Sequence, residues 1–321
     1  MTRPGTAPES EDLADLTRLV ERMRAGERRA ISRAVTELER FSAAAPGLLE
    51  AMRPHLGHAI VIGVTGPPGA GKSTLLNAYT RHSRAEAKSI GIIAVDPSSP
   101  ISGGAILGDR IRMTAALDDD GVFMRSLASR GHLGGLTPAA VRVIDALDAA
   151  GKDMILIETV GTGQTDIDVA EVADVRIVVT APGLGDDIQA MKAGLIEIAD
   201  ILVVNKADRE GAEQTLQQLK GALALKPGAR GKVPVLKVTA TTGDGIAALG
   251  AAIEEVIAAS AAMDPHVRRR RRARYLIARA AADLVAERVR KGTEKAVDAL
   301  ADEVLAGTLL PAQAARKLVD G

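Results

Sequence analysis

Gly66-Pro67-Pro68-Gly69-Ala70-Gly71-Lys72-Ser73 brings three glycines, a lysine and a hydroxyl together in an order that suits a polyphosphate. Glycines let a backbone wrap closely and point successive N–H groups at phosphate oxygens. The cradle is expected from Gly66, Gly69, Ala70 and Gly71. Lys72 supplies a mobile cation to the β- and γ-phosphates, and the Ser73 hydroxyl is placed on Mg²⁺. Thr74 follows with a hydroxyl in reach of an α-phosphate. The apolar run before Gly66 reads as a strand and the stretch after Lys72 as a helix, the context this G-x-x-x-x-G-K-S spacing requires.

A second cluster selects the base. Asn205-Lys206-Ala207-Asp208 follows the apolar run Ile201–Val204 and resembles the N-K-x-D guanine motif of GTPases. Two carboxylate oxygens on Asp208 suit the N1–H and exocyclic amine of guanine. Adenine offers neither donor there, so ATP would leave that carboxylate unpaired, a loss of roughly 1.5–3 kcal/mol. Lys206 can lie along the base plane, and Asn205 can tie this loop to the phosphate loop. Thr239-Ala240-Thr241 follows the next strand candidate and resembles the shorter S-A-x guanine loop, with Thr in place of Ser.

Carboxylates at strand ends supply the metal and hydrolytic chemistry. Glu158-Thr159-Val160-Gly161 takes the place of a D-x-x-G motif. Glu158 would hold Mg²⁺ through water, and the Gly161 N–H would sense the γ-phosphate. Asp96 ends another strand candidate, beside the ligand crevice of an open α/β sheet. Asp109 follows a Gly-rich stretch and is a further candidate for the Mg²⁺ shell. Thr162, rather than Gln, follows Gly161, and Gln164 is displaced, so intrinsic hydrolysis is expected to be slow. On composition alone, Pro182 to Gly194 is a Gly-rich loop and helix cap. His132, one of five histidines, has no partner at zinc-ligand spacing.

These groups need a scaffold. Seven strand candidates occur at Ala59–Val64, Ser89–Val95, Val122–Met124, Met154–Glu158, Val175–Thr180, Ile201–Asn205 and Val233–Val238. Several are almost continuously apolar, as in strands covered on both faces. Helical patterns fall between them at 72–83, 137–149, 186–198, 212–224 and 245–259. The alternation predicts an α/β fold, a mostly parallel sheet flanked by helices. Before it, Leu13, Leu16, Leu19, Val20 and Met23, then Ile31, Ala34, Val35, Leu38 and Phe41, recur at helical spacing. After Pro265 the patterns are helical at 267–291, 294–306 and 311–319. The expected division is a polar tail and helical module over 1–57, a nucleotide domain over 58–260 and a helical arm over 261–321.

Composition narrows the class. Across 321 residues, Lys plus Arg and Asp plus Glu both number 41, so no bulk field steers the chain to nucleic acid or membrane. Aromatics make up 1% of residues, which leaves no platform for stacked bases. Absence of Cys excludes disulfides, thiolate metal sites and cysteine nucleophiles. No apolar run reaches membrane-span length, and the polar N-terminus lacks a signal core, so a cytoplasmic protein is expected. Arg268 to Arg272 form a run, which reads first as a solvated helix face. An RNA- or ribosome-associated switch built on that run is the alternative reading.

Asp96-Pro97-Ser98-Ser99, Gly103 to Asp109, Leu133-Gly134-Gly135, Glu158 to Gln164, Gly185 to Gly194 and Asn205 to Asp208 together resemble the MeaB/ArgK family. These are G-protein metallochaperones of adenosylcobalamin-dependent acyl-CoA mutases. The resemblance spans roughly residues 10–290. It implies a GTPase that binds GTP/GDP with Mg²⁺, forms a homodimer through its C-terminal arm and gates cofactor delivery to a mutase while protecting or reactivating it. The client would be methylmalonyl-CoA mutase or a relative such as 2-hydroxyisobutyryl-CoA or isobutyryl-CoA mutase. The cobalamin adenosyltransferase is a second candidate partner; no membrane or nucleic acid is expected. By position, Asp96, Asp109 and Glu158 match the family's magnesium and catalytic acids. Asp186 to Lys192 matches a third switch, with Gln189 and Lys192 as candidates to assist hydrolysis beside Lys72.

Asp208→Asn should move preference from GTP toward xanthosine triphosphate, because that carboxylate reads the N1 and C2 positions. Competition between the two triphosphates measures the shift.

Overall fold

The computed structural model describes residues 10–96, 119–128, 136–159, 164–184, 195–224, 233–259, 264–291 and 294–320. Its centre is a seven-stranded sheet in the order β3-β2-β4-β1-β5-β6-β7. The strands are β1 (Ile60–Thr65), β2 (Ile90–Asp96), β3 (Val122–Ala128), β4 (Met154–Glu158), β5 (Val175–Thr180), β6 (Ile201–Val204) and β7 (Val235–Lys237). All neighbouring pairs are parallel, as in a fold whose crossovers are helices. All seven strand candidates therefore form. β3 runs on to Ala128, and β7 is shorter than its apolar stretch.

Preceding β1 are α1 (Ser10–Arg24), α2 (Arg28–Glu39) and α3 (Ala45–Met52). Between and after the strands lie α4 (Lys72–Ala85), α5 (Pro138–Ala149), α6 (Gln164–Val172), α7 (Leu195–Ile198), α8 (Ala212–Ala224) and α9 (Ile246–Ala259). One sheet face packs Ile62, Val64, Ile177 and Val203 against Leu75, Leu76 and Tyr79 of α4 and Leu249 and Ile253 of α9. Val178, Leu202 and Val204 join Ile196 of α7 and Leu216 and Leu219 of α8 in a second cluster. α5 starts with Thr137 as cap, its hydroxyl accepting from the Ala140 N–H at 3.3 Å, and with Pro138 in the first turn.

α6 is absent from the sequence-based helix assignments. Ile167, Val169 and Val172 give it near-alternating β-branched residues, a pattern that does not show a helical face. Tertiary packing supplies what the local pattern lacks. A Cβ on Gly63 of β1 would stand 2.4 Å from Val169 Cγ1 and 2.9 Å from Ala173 Cβ, so α6 rests directly on the central strand. The expected helix at 186–198 is described only over Leu195–Ile198; the rest lies outside the described residues.

The N-terminal stripes are buried as spaced: Leu16, Leu19, Val20 and Met23 on α1, and Ile31, Ala34, Val35 and Leu38 on α2. Phe41 does not continue the stripe. It lies beyond α2 in a left-handed turn (φ 49°) and is 59% exposed. α2 packs on α5 and reaches β3 through the Arg125–Glu39 ion pair at 2.5 Å. Its first residue, Arg28, donates to the Val122 carbonyl at 2.9 Å. Arg84 and Lys152 converge on the same turn, donating to Asp119 Oδ2 at 2.8 Å and the Gly121 carbonyl at 3.0 Å. Burial, aided by Arg28 and Arg84, holds the Lys152 ammonium below its usual pKa.

The chain divides into two compact units, one ending at Arg271 and the other comprising 272–321. The boundary falls inside α10 (Pro265–Lys291). In the first unit, Arg268 is 4% exposed and donates to the Gly57 and Ala59 carbonyls at 2.6 and 2.7 Å and to Asp174 at 3.3 Å. Arg271 donates to the Ala173 carbonyl and to Asp174, at 2.7 and 2.8 Å. These two arginines are structural, against the expectation of a solvated face for the whole run. In the second unit, α11 (Glu294–Leu305) and α12 (Pro311–Asp320) are joined through the Lys317–Glu303 pair at 3.2 Å.

Arg268→Ala would leave the buried Asp174 carboxylate and two carbonyls short of a donor. The expected loss is about 3–5 kcal/mol, read from urea unfolding.

Candidate functional site

Parallel strands end on one edge of the sheet, and the predicted phosphate loop leaves that edge from β1. Gly66 turns the chain at φ 142°, where a Cβ would lie 2.0 Å from the Val179 carbonyl of β5. No other side chain fits that approach. Gly71 sits at φ 88° immediately before α4, with Asn205 Nδ2 where its Cβ would project, 2.4 Å away. The first backbone N–H groups of α4 are therefore presented where an anion would sit. Lys72 is buried and donates to the Gly66 and Pro67 carbonyls at 2.8 and 3.2 Å. Ser73 Oγ donates to Glu158 Oε1 at 2.6 Å.

Asn205, after β6, joins three loops. Its Nδ2 donates to the Ala70 carbonyl at 2.9 Å and the Gly71 carbonyl at 3.4 Å, while its Oδ1 accepts from the Ala240 N–H at 3.2 Å. Lys206, held at φ 56°, donates to the Gly69 carbonyl at 2.7 Å. Backbone bonds complete the frame: Ala207 N–H to the Val238 carbonyl at 3.1 Å, and Thr239 N–H to the Asp244 carbonyl at 2.9 Å. Asp208 and Thr241 stand exposed at the loop edges. Thr74 follows Ser73 in the first turn of α4. The structure thus brings residues 66–74, Glu158, the 205–208 loop and the 239–241 loop to one sheet edge.

The metal question turns on donor chemistry. Among the described residues no group of three or more His, Cys, Asp or Glu could hold an ion. What the site offers is the Ser73 hydroxyl and the buried Glu158 carboxylate in contact, both hard oxygen donors. Mg²⁺ binds through one or two such groups, keeps several waters and takes phosphate oxygens, so the pair fits it. Asp96 ends β2, two residues beyond the Ala94–Glu158 register pair, which puts its backbone at the same edge. Its side chain lies outside the described residues, as do Asp109, Gly161, Gln189 and Lys192.

Thr65 and Thr159 are site residues that the motif reading did not single out. Thr159 Oγ1 donates to Thr65 Oγ1 at 3.2 Å, and both are buried. Their signal in the sequence is adjacency alone: one precedes Gly66 and the other follows Glu158.

The family described as methylmalonyl-CoA mutase-associated GTPase MeaB matches residues 28–294. A Pyrococcus horikoshii protein named as a GTPase is 49% identical over 241 residues, 74% of this chain and 76% of that protein. The GTPase ArgK of Escherichia coli is 43% identical over 199 residues, 61% of this chain and 60% of that protein. Among solved structures, a LAO/AO transport system kinase matches with a TM-score of 0.75 at 27% identity, over 98% of this chain and 99% of that one. With the 66–73 and 205–208 loops meeting on a parallel sheet, the match over residues 28–294 means that the chain belongs to the MeaB family of P-loop GTPases.

Proposed function

We propose that this protein hydrolyses GTP to drive a chaperone cycle on an adenosylcobalamin-dependent acyl-CoA mutase. The observation that carries the nucleotide reading is the Asn205 side chain, which ties the base loops to the phosphate loop through Ala70 and Ala240. The family's description as mutase-associated supports the partner class. Methylmalonyl-CoA mutase is the first candidate, with 2-hydroxyisobutyryl-CoA and isobutyryl-CoA mutases next.

Each residue has a role in this reading. Backbone N–H groups of 69–73 bind the phosphates, Lys72 exchanges its carbonyl partners for β- and γ-oxygens, and Asp208 reads guanine. Ser73 and Glu158 would hold Mg²⁺, with Asp96 and Asp109 as further acids. The ion supplies charge neutralisation on the β- and γ-phosphates. Gly161 senses the γ-phosphate, and Gln189 and Lys192 assist hydrolysis once a mutase is engaged. Hydrolysis is slow alone and faster in the complex, so partner state and nucleotide state bias each other. A cytoplasmic homodimer joined by the C-terminal arm, and a further contact with the cobalamin adenosyltransferase, complete the proposal. The RNA-switch alternative loses ground because Arg268 and Arg271 bond within the fold.

GTP turnover, measured alone and with each purified mutase, tests the reading. Acceleration of about tenfold or more by one mutase identifies the client; no acceleration by any removes the chaperone assignment. Lys72→Ala should abolish tight triphosphate binding in equilibrium titration, and retained affinity would remove the phosphate-loop assignment.

A further inference from the structure

Two threonines meet where the two phosphate-facing strands leave the sheet. Thr65 is the last residue of β1, and Thr159 directly follows β4. The register Val64↔Glu158 sets them side by side. The Thr159 N–H donates to the Val64 carbonyl at 3.3 Å, and its hydroxyl donates to the Thr65 hydroxyl at 3.2 Å. Thr65 is 4% exposed and Thr159 2%. Around them the strands are aliphatic, and valine would match threonine in shape and strand preference without burying a hydroxyl. A buried polar pair in that setting costs desolvation unless its geometry is used.

Its position shows the use. Thr65 adjoins Gly66, whose carbonyl holds Lys72; Thr159 adjoins Glu158, whose carboxylate takes the Ser73 hydroxyl. We infer that the Thr65–Thr159 hydroxyl bridge is a positioning element for GTP hydrolysis. It fixes the spacing between the strand end that launches the phosphate loop and the strand end that carries Glu158 and leads to Gly161. This rests on the GTPase reading of the site. The bridge joins the ends of β1 and β4 and lies outside the 205–208 and 239–241 loops, so nucleotide capture is expected to depend on it little. Placement of Glu158 at the moment of phosphoryl transfer depends on it.

The test uses the full chain carrying Thr159→Val, Thr159→Ser and the double change Thr65→Ala/Thr159→Val. The alanine leaves room for the methyl that replaces the hydroxyl. Steady-state GTP turnover, the dissociation rate of a fluorescent GDP analogue with Mg²⁺ or EDTA, and the unfolding midpoint are measured for each. Thr159→Val should lower kcat about tenfold, the scale of one net hydrogen bond, with KM for GTP changed less than about twofold. Its GDP release in EDTA should match the wild type, while the slowing of release by Mg²⁺ should shrink. Thr159→Ser should restore both. The double variant removes both hydroxyls of the bridge together, so its midpoint should recover toward the wild type while kcat stays low. Wild-type kcat in Thr159→Val, or recovery of kcat together with the midpoint in the double variant, overturns the inference. A wild-type chain that neither binds the GDP analogue nor turns over GTP overturns the GTPase reading itself, and this inference with it.

Discussion

β1 is hydrogen-bonded in parallel on both sides, to β4 and to β5, and that double pairing constrains the rest of the molecule. A central strand locked on two flanks cannot slide, because a slip of one residue would put a side chain where Gly63 meets Val169 and Ala173, with no room for even a Cβ. Its end therefore stands at a fixed point. From that point the chain must turn past the Val179 carbonyl, and only Gly66 allows it. α4 then begins at Lys72, and the same edge receives Glu158 from β4 and Asn205 from β6. The chemistry converges because parallel strands deliver their ends to one side.

Charge is used differently at the opposite edge. Asp148 accepts from the N–H groups of Gly57, His58 and Ala59 at 2.6, 3.0 and 2.8 Å. Asp174 accepts from the Val61 N–H at 2.9 Å and from Arg268 and Arg271. Buried carboxylates and guanidinium groups there bond to the backbone entering β1. Removing Asp148 would leave three backbone N–H groups without their acceptor, and removing Asp174 would leave the buried Arg268 guanidinium without its carboxylate. At the site edge the bonds are equally short, Ser73 to Glu158 at 2.6 Å and Lys72 to the Gly66 carbonyl at 2.8 Å, but there they join side chains that the proposed nucleotide and ion would also engage.

Motif spacing singled out the segments that the structure brings to one sheet edge. The phosphate loop, the guanine loop and the strand-end Glu158 each carry a residue order with a mechanical reason, and the apolar runs placed all seven strands. What escaped depends on partners distant in sequence. α6 has a β-branched, near-alternating pattern, and its burial comes from Gly63, a hundred residues upstream. Phe41 fitted a helical period, but α2 ends at Glu39 before it is reached. Arg268 looked solvated because its neighbours are arginines; its partners are Gly57, Ala59 and Asp174. Thr65 and Thr159 carried no chemical order of their own.

Lys72 has a consequence for the cycle. Its ammonium already has oxygen partners in the Gly66 and Pro67 carbonyls of its own loop. In the proposed cycle, taking up a triphosphate would be a metathesis of hydrogen bonds, not the capture of a bare cation. These bonds hold the loop around its lysine, so in the proposed cycle less conformational entropy would be lost on binding. The same carbonyls wait as acceptors when the product departs. A ligand held by exchange can leave by exchange, which would suit the proposed cycle, where the succession of two nucleotide states matters more than the depth of either.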